Sequence, residues 1–258
     1  MSELLSVKNL CKASILKEIS FQMSEGEMVA VMGPSGSGKS TLLYNVSGMD
    51  QADGGEVWLK DTELVKLSED EKAAVRLNSM GFVFQNMNMM SNLSVLDNIL
   101  LPAYHAGNGK GKNQKANQKK YALELMKKLG ISELADRAVT QVSGGQLQRA
   151  CICRSLMNHP NIVFADEPTG ALNQSAAAEV MEIFQNLNRE GISILLVTHD
   201  SKVASKCGRI LYLLDGRIEG ELKLGRMDHG ENRTWEEKAQ EEKDREEKIK
   251  SWLSQKKW

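Results

Sequence analysis

Gly33-Pro34-Ser35-Gly36-Ser37-Gly38-Lys39-Ser40-Thr41 follows the apolar run Val29-Ala30-Val31-Met32 and precedes Leu42, Leu43 and Val46, which recur at helical spacing. The stretch matches G-x-x-x-x-G-K-[ST], set between a buried strand and a helix as that motif requires. Its glycines let the backbone curl so that several N–H groups face inward at a helix N-terminus, where the macrodipole also favours anions. Lys39 can reach terminal phosphates, and the Ser40 hydroxyl can ligate Mg²⁺. A merely flexible Gly/Ser turn would need neither the Lys-Ser pair nor these flanks.

Working outward, Ile162-Val163-Phe164-Ala165 and Ile194-Leu195-Leu196-Val197 are continuous apolar runs of the kind buried in parallel sheets. Gly54 to Leu59 and Gly81 to Phe84 read as further strands. Ser68-Glu69-Asp70-Glu71 fits a capping box that starts a helix carrying Ala73, Ala74 and Leu77. Between Gln85 and Pro160 the segments are mostly helical, with Ser94 as a cap, a strong helix over Ala116 to Leu129, and Gly130 placed to stop it. Asn173 caps another helix, which includes Ala177, Val180, Met181, Phe184 and Leu187. Ile210 to Leu214, then Asp215-Gly216, then Arg217 to Leu222 reads as a hairpin. The fold class is α/β with a helical insertion.

Asp166-Glu167 ends the strand at Ile162 to Ala165. Two carboxylates at a strand end beside a phosphate site are costly unless a cation or a proton transfer uses them. Asp166 suits Mg²⁺, and Glu167 suits a general base that polarises the attacking water. Taken alone, the pair would be no more than solvated strand-end acids.

Composition narrows the alternatives. The chain has 258 residues and a formal charge of −1, so its surface as a whole does not invite a nucleic-acid backbone. One local exception is Lys110 to Lys120, with five lysines, no acid, and Gly107, Gly109 and Gly111 before or among them. A solvated loop is the expectation there, with contact to anionic headgroups as the other option. Cys11, Cys151, Cys153 and Cys207 show neither C-x-x-C nor metal-ligand spacing, which suits a reducing compartment. Met1 to Leu10 mixes charge with short apolar steps and does not read as a secretory signal. The best apolar run, Ile192 to Val197, is far shorter than the ~20 residues a membrane helix needs.

After Gly230 the composition shifts. Glu231 to Trp258 is dense in both signs of charge, with Glu241/Arg245, Asp244/Lys248 and Glu246/Lys250 at i,i+4, each pair worth ~0.3 kcal/mol. Ile249, Trp252 and Leu253 add an apolar stripe near its end. A solvent-facing helix and a helix docked on a partner or on the core both remain open.

Val142-Ser143-Gly144-Gly145-Gln146-Leu147-Gln148-Arg149 resembles the signature sequence of ABC ATPases. Together with Gly33 to Thr41, Gln85 after Phe82-Val83-Phe84, Asp166-Glu167 and His199, the resemblance covers nearly all of residues 1 to 225. It implies a P-loop NTPase fold: a RecA-like core, an N-terminal antiparallel β region and an inserted helical subdomain over about residues 86–159. Residues 1–225 would form the nucleotide-binding domain and 226–258 a charged helical tail. ATP and Mg²⁺ are the implied cofactors, and ATP hydrolysis the implied activity. Glu167, His199 and Gln85 are the implied catalytic residues, and Ser40, Gln85 and Asp166 the implied metal ligands. Ser143, Gly144, Gly145 and Gln146 open a helix, so their N–H groups make a second anion site. In the family this site closes on the γ-phosphate held by the other copy, so that ATP joins an isologous dimer.

The sequence departs from the family pattern at two places. Where an aromatic residue usually stacks on adenine, about twenty positions before the phosphate loop, this chain has Lys12-Ala13-Ser14-Ile15-Leu16. The turn after Glu167 ends in Asn173 where the family usually has Asp, which keeps an acceptor but loses a charge.

Phe84 to Asn98 and Leu100-Leu101-Pro102 resemble the MacB/LolD/FtsE branch, and Ala165 to Leu172 with Cys207 to Gly216 look closest to its Bce-type, peptide-antibiotic-resistance members. That branch is bacterial and pairs with FtsX-like permeases, implying two partners, a second copy and an integral-membrane permease. It also implies residence on the cytoplasmic face of the cell membrane. The competing class is an ABC ATPase without transport, such as an FtsE-like cell-division regulator or a nucleic-acid-associated ATPase, although nucleic acid is not an expected partner. A bare P-loop switch would not need Ser143 to Arg149.

Overall fold

A computed structural model of the chain describes residues 2–106, 112–227 and 234–256. In chain order come β1 (Glu3–Lys12), β2 (Leu16–Ser24), β3 (Met28–Met32), α1 (Lys39–Val46), β4 (Gly54–Leu59) and β5 (Thr62–Glu63). Then follow α2 (Glu69–Ser79), β6 (Met80–Phe84), α3 (Val95–His105), α4 (Lys112–Lys128), α5 (Gly144–Leu156) and β7 (Ile162–Asp166). The chain continues through α6 (Gln174–Arg189), β8 (Ser193–Val197), α7 (Ser201–Ser205), β9 (Arg209–Leu214), β10 (Arg217–Lys223) and α8 (Trp235–Ser254). Packing separates two units: Met1–Lys66 with Asn188–Trp258, and Leu67–Leu187.

The first unit holds two strand layers. The antiparallel layer runs β2-β1-β4-β5, with Val7 opposite both Phe21 and Val57 and Leu5 opposite Leu59. Leu5, Val7, Leu10, Ile19 and Val57 are buried there, each stabilising by roughly 1.5–3 kcal/mol. The other layer runs β10-β9-β3-β8, in which β3 is parallel to both β8 and β9 and the β9–β10 hairpin is antiparallel. All five residues of β3 and all five of β8 are buried, as strands inside a parallel sheet are, and the one polar side chain among them, Ser193, accepts from the Gly26 N–H. Asp215 and Gly216 both have positive φ, 48° and 78°, the pairing that a tight two-residue hairpin turn requires.

The charged helix α8 belongs to this unit and docks on it. Ile249, Leu253 and the side chain of Arg245 are buried, while the rest of the charge stays at or near the surface. Of the expected i,i+4 pairs, Glu246–Lys250 closes at 2.5 Å and Glu241–Arg245 at 3.8 Å.

In the second unit β6 and β7 pair in parallel, Phe84 standing opposite Asp166. The Ser68–Glu71 capping box starts α2, Ser94 caps α3 through the Asp97 N–H, and Asn173 Oδ1 accepts from the Ala176 N–H at 2.9 Å at the start of α6. Gly130, with φ 66°, ends α4 by donating to Lys127 O. The expected loop at Lys110 to Lys120 is corrected over Lys112 to Lys115: α4 starts at Lys112, ahead of the expected Ala116, because Lys and Gln favour helix. Gly107, Gly109, Lys110 and Gly111 lie outside the described residues.

Candidate functional site

The first unit presents the phosphate-loop residues at the C-terminal edge of its parallel strands, where ligands bind in open α/β sheets. Gly33 leaves β3 at a point where no side chain fits: a Cβ there would stand 2.0 Å from the Leu213 carbonyl oxygen and 2.7 Å from Ser37 Oγ. Gly38 caps α1 at φ 100°, a conformation open to glycine but strained for other residues. No acid occupies the first turn of α1, so its N-terminal N–H groups keep their positive character. Lys39 Nζ lies over the loop and donates to Gly33 O at 2.8 Å and Pro34 O at 3.0 Å. Ser37 Oγ is buried with no hydrogen-bond partner in the protein. Pro34, Ser35, Gly36, Ser40 and Thr41 complete the segment, and space opens where a Gly36 Cβ would point.

Two turns brace this loop. Gly216 of the β9–β10 hairpin donates to Ser37 O at 3.2 Å and accepts from the Lys17 N–H at 2.8 Å. The β1–β2 turn brings Ile15 Cγ2 within 3.2 Å of where a Gly38 Cβ would be, while Ile15 remains 43% exposed. The segment that lacks an aromatic residue therefore sets an aliphatic side chain beside the phosphate loop.

His199 follows β8 at the same strand edge. Thr198 donates to Val31 O at 3.1 Å, fixing the strand end, and Asp200 caps α7 by accepting from the Lys202 N–H at 2.7 Å. His199 lies between these two anchors and is exposed.

The second unit brings together Gln85, Asp166 and Glu167. Because Phe84 and Asp166 are in register, Gln85 and Glu167 leave neighbouring strands at one edge. Asp166 is 8% exposed. Glu167 has φ 46°, a left-handed conformation uncommon outside glycine and found where surrounding structure over-determines the backbone. The Gln85 side-chain amide lies against the following turn, 3.0 Å from where a Gly170 Cβ would stand.

Sequence reasoning missed Gln148. Buried on α5, it donates from Nε2 to Pro168 O at 2.8 Å and Phe84 O at 3.4 Å. It thus ties the segment after Glu167 to the strand that leads into Gln85. Its place inside Val142 to Arg149 was the available signal, although the carbonyls it meets are far away in sequence.

The signature residues form a second cradle in this unit. Ser143 caps α5 with a reciprocal box, its Oγ accepting from the Gln146 N–H and its N–H donating to Gln146 Oε1 at 3.0 Å. The Gln146 side-chain oxygen is thereby engaged in the cap. Gly144 and Gly145 lie in the first turn, whose N–H groups lack intrahelical acceptors and face no acid in that turn. At Gly145 a Cβ would be 2.9 Å from Ala176 Cβ, so glycine lets α5 and α6 approach. Beside this start is a concavity of about 340 Å³ lined by Gly144, Gly145, Arg149, Asn173 and Glu179 among others, with Arg149 paired to Glu179 at 3.4 Å. Arg154 pins the segment after Gln85, donating to Met87 O at 2.9 Å and Asn88 O at 2.8 Å.

The donor types suit the implied groups. A serine hydroxyl, an amide and a carboxylate make a hard oxygen set of the kind magnesium takes, and a glycine-rich loop with an orphaned hydroxyl and a lysine suits phosphate oxygens. Among the described residues, no helix is long and apolar enough to cross a membrane.

Comparison with known proteins agrees with the geometry. The ABC transporter family matches residues 16–170. The macrolide export ATP-binding/permease protein MacB of Syntrophobacter fumaroxidans is 41% identical over 208 residues, 80% of this chain and 29% of the relative. Its namesake from Campylobacter jejuni is 41% identical over 221 residues, 84% of this chain and 34% of the relative. The chain therefore spans about a third of the length of these curated relatives, which fit the MacB/LolD/FtsE branch. Among solved structures, the ATP-binding cassette MJ0796, in a dimeric post-hydrolysis state bound to ADP and Pi, superposes with a TM-score of 0.78 at 36% identity. That match covers 87% of this chain and 100% of the other, and the shared fold is that of P-loop NTPases. The family match spans more than half of the sequence, and the chain belongs to the ABC transporter family as an ATP-binding, ATP-hydrolysing cassette.

Proposed function

We propose that two copies of this chain close around two ATP molecules and drive an FtsX-like permease from the cytoplasmic face of a bacterial membrane. The observation that carries this reading is the presence of two phosphate-ready cradles in one chain. One is the loop at Gly33 to Thr41, and the other is the Ser143-capped start of α5. A single triphosphate between two copies would engage the loop of one and the α5 start of the other, so each site is completed by its partner. The MJ0796 cassette, solved as a dimer with ADP and Pi, supports that arrangement by likeness.

In this reading the backbone of Gly33 to Gly38, with Pro34, Ser35 and Ser37, wraps the phosphates, and Lys39 binds their terminal oxygens. Ser40, Gln85 and Asp166 would hold Mg²⁺, which when bound offsets charge on the β- and γ-phosphates. Glu167 polarises the attacking water, and His199 hydrogen-bonds the γ-phosphate and steadies that water or Glu167. Ser143, Gly144 and Gly145 of the second copy donate to the γ-phosphate, with Gln146 keeping the cap in shape. The cassette spans residues 1–225 with its helical subdomain over about 86–159, and 226–258 forms the tail. The segment after Gln85, pinned by Arg154, is the surface that reports on the permease. The output would be peptide-antibiotic resistance or force transmission of the lipoprotein or macrolide type.

The test is the concentration dependence of ATP hydrolysis. A monomer carries half of each phosphate cage and so lacks part of the transition-state stabilisation. Specific activity should rise with protein concentration, and rise again when the permease is added in detergent or nanodiscs. Turnover strictly proportional to concentration into the nanomolar range, with no dimer signal, would overturn the shared site.

A further inference from the structure

The C-terminal helix α8 grips the short helix that follows His199. Arg245, 7% exposed, donates from Nε to Ser205 O at 2.7 Å and from Nη2 to Cys207 O at 2.6 Å. It also donates to Leu224 O at 3.3 Å and to Gly225 O at 3.1 and 3.2 Å, and pairs with Glu241 at 3.8 Å. Ser205 is the last residue of α7, so the guanidinium sits where the helix dipole favours a cation and where C-terminal carbonyls need donors. At the other end of α7, the Ser201 hydroxyl donates to Glu246 Oε1 at 3.1 Å, and Lys206, just past the helix, pairs with Glu242. α8 therefore holds α7 at its start, at its end and just beyond.

α7 has five residues, too few to stand without tertiary support. His199 is attached to α7 through Asp200, the helix cap, and to the sheet through Thr198. The sheet side of this span is fixed by the bond to Val31, and the helix side is fixed by α8.

We propose that Arg245 is a positioning residue for ATP turnover: through its carbonyl bonds α8 fixes α7, and with α7 the direction in which His199 presents its ring. The inference rests on the reading of His199 as a γ-phosphate contact. The C-terminal helix, outside the segment that matches the family, thereby becomes part of the hydrolytic machinery, and whatever lifts it slows turnover without releasing nucleotide.

The experiment compares the full chain with Arg245→Ala, Arg245→Lys, His199→Ala and the double variant Arg245→Ala/His199→Ala. Steady-state ATPase gives kcat and KM, and a fluorescent ATP analogue gives affinity. Arg245→Ala should lower kcat about tenfold while KM and affinity stay within about twofold, since misplacement of a contact made late in the reaction acts on kcat. Arg245→Lys, which keeps the charge but loses the fork, should recover part of the loss. The double variant should be no slower than His199→Ala alone, because both changes remove the same interaction. If Arg245→Ala does not fold, Ser201→Ala/Glu242→Gln replaces it, with faster deuterium exchange across residues 199–206 and reduced kcat expected. A folded Arg245→Ala protein with wild-type kcat would overturn the brace, as would a double variant in which the two losses multiply. An unchanged kcat and exchange rate in Ser201→Ala/Glu242→Gln would do the same. Wild-type turnover in His199→Ala would instead remove the reading of His199 itself, and the inference with it.

Discussion

Gln148 and Pro168 are joined by a 2.8 Å hydrogen bond from the Gln148 side-chain amide to the carbonyl one residue past Glu167. The same amide reaches Phe84 O, the residue before Gln85, at 3.4 Å. A single buried glutamine on the signature helix thus links the ends of β6 and β7. Gln148→Leu keeps the volume but strips a buried carbonyl of its donor, at a cost of about 1–3 kcal/mol. Because Glu167 already sits at positive φ, the turn after it should shift. We expect kcat to fall about tenfold with nucleotide affinity within about twofold of wild type, read by ATPase kinetics and nucleotide titration. Affinity lost in step with kcat would contradict this role.

Lys39→Ala should differ in kind. Lys39 Nζ rests on the Gly33 and Pro34 carbonyls and is the loop's cationic side chain. Its removal should weaken ATP binding at least about tenfold, near 1.4 kcal/mol. ATP should then raise the unfolding temperature of the variant by less than it raises that of the wild type. A wild-type thermal shift would exclude Lys39 from the phosphate contacts.

Ile15 beside Gly38 bears on the choice of base. An aromatic platform contributes roughly 1–3 kcal/mol per base in nucleic-acid proteins, and an aliphatic side chain offers contact without stacking. ATP and GTP should therefore show similar affinities, and Ile15→Tyr should tighten both, because every base offers a π-face to stack on. A preference for ATP of about tenfold or more in the wild type, near 1.4 kcal/mol, would mean that another side chain reads the base.

Burial pushes the Cys151 thiol up to about 11 and that of Cys153 up to about 12, while Cys207 rises further for the same reason. A buried thiol keeps its proton in the folded state to a higher pH than in the unfolded chain. The stability this contributes is present below the unfolded value and is lost as pH rises from about 8.5 toward the folded value. Cys151→Ala should flatten the decline in unfolding free energy between pH 8 and 10 by up to about 2 kcal/mol. Denaturant titrations at the two pH values measure it, and an unchanged slope would show that Cys151 is exposed to solvent or ionised.

Sequence legibility followed local signals. The run Val29 to Met32 ending at Gly33, the caps at Ser68, Ser94 and Asn173, and the Asp215-Gly216 turn each carry their cause within a few residues, and the structure has each of them. β1 and β2 carry no such local signal. Leu4, Leu5, Ser6 and Val7 are buried in succession, and register shifts with positive φ at Asn9 and Glu18 break the alternation that marks a strand. Of the candidate site, Gln85, Asp166 and Glu167 were legible as strand-end polar residues, and the structure brings their strands into register. Gln148 and Arg245 were not legible as anchors. Each acts on carbonyls that stand opposite it after folding, a tertiary fact that neither residue type nor spacing contains.

The proposed sharing of the active site between two copies is tested most directly by the mass of Glu167→Gln in the presence of ATP and Mg²⁺. Replacing the carboxylate by an amide removes the group proposed to polarise water but leaves Lys39, Ser40 and the Ser143-capped helix start in place. The variant should bind ATP with turnover nearly abolished, and light scattering after size-exclusion should report a dimer that reverts to monomer when ATP is withdrawn. A protein that remains monomeric with ATP and hydrolyses it at the wild-type rate would contradict both the role of Glu167 and the closure of two copies around the nucleotide.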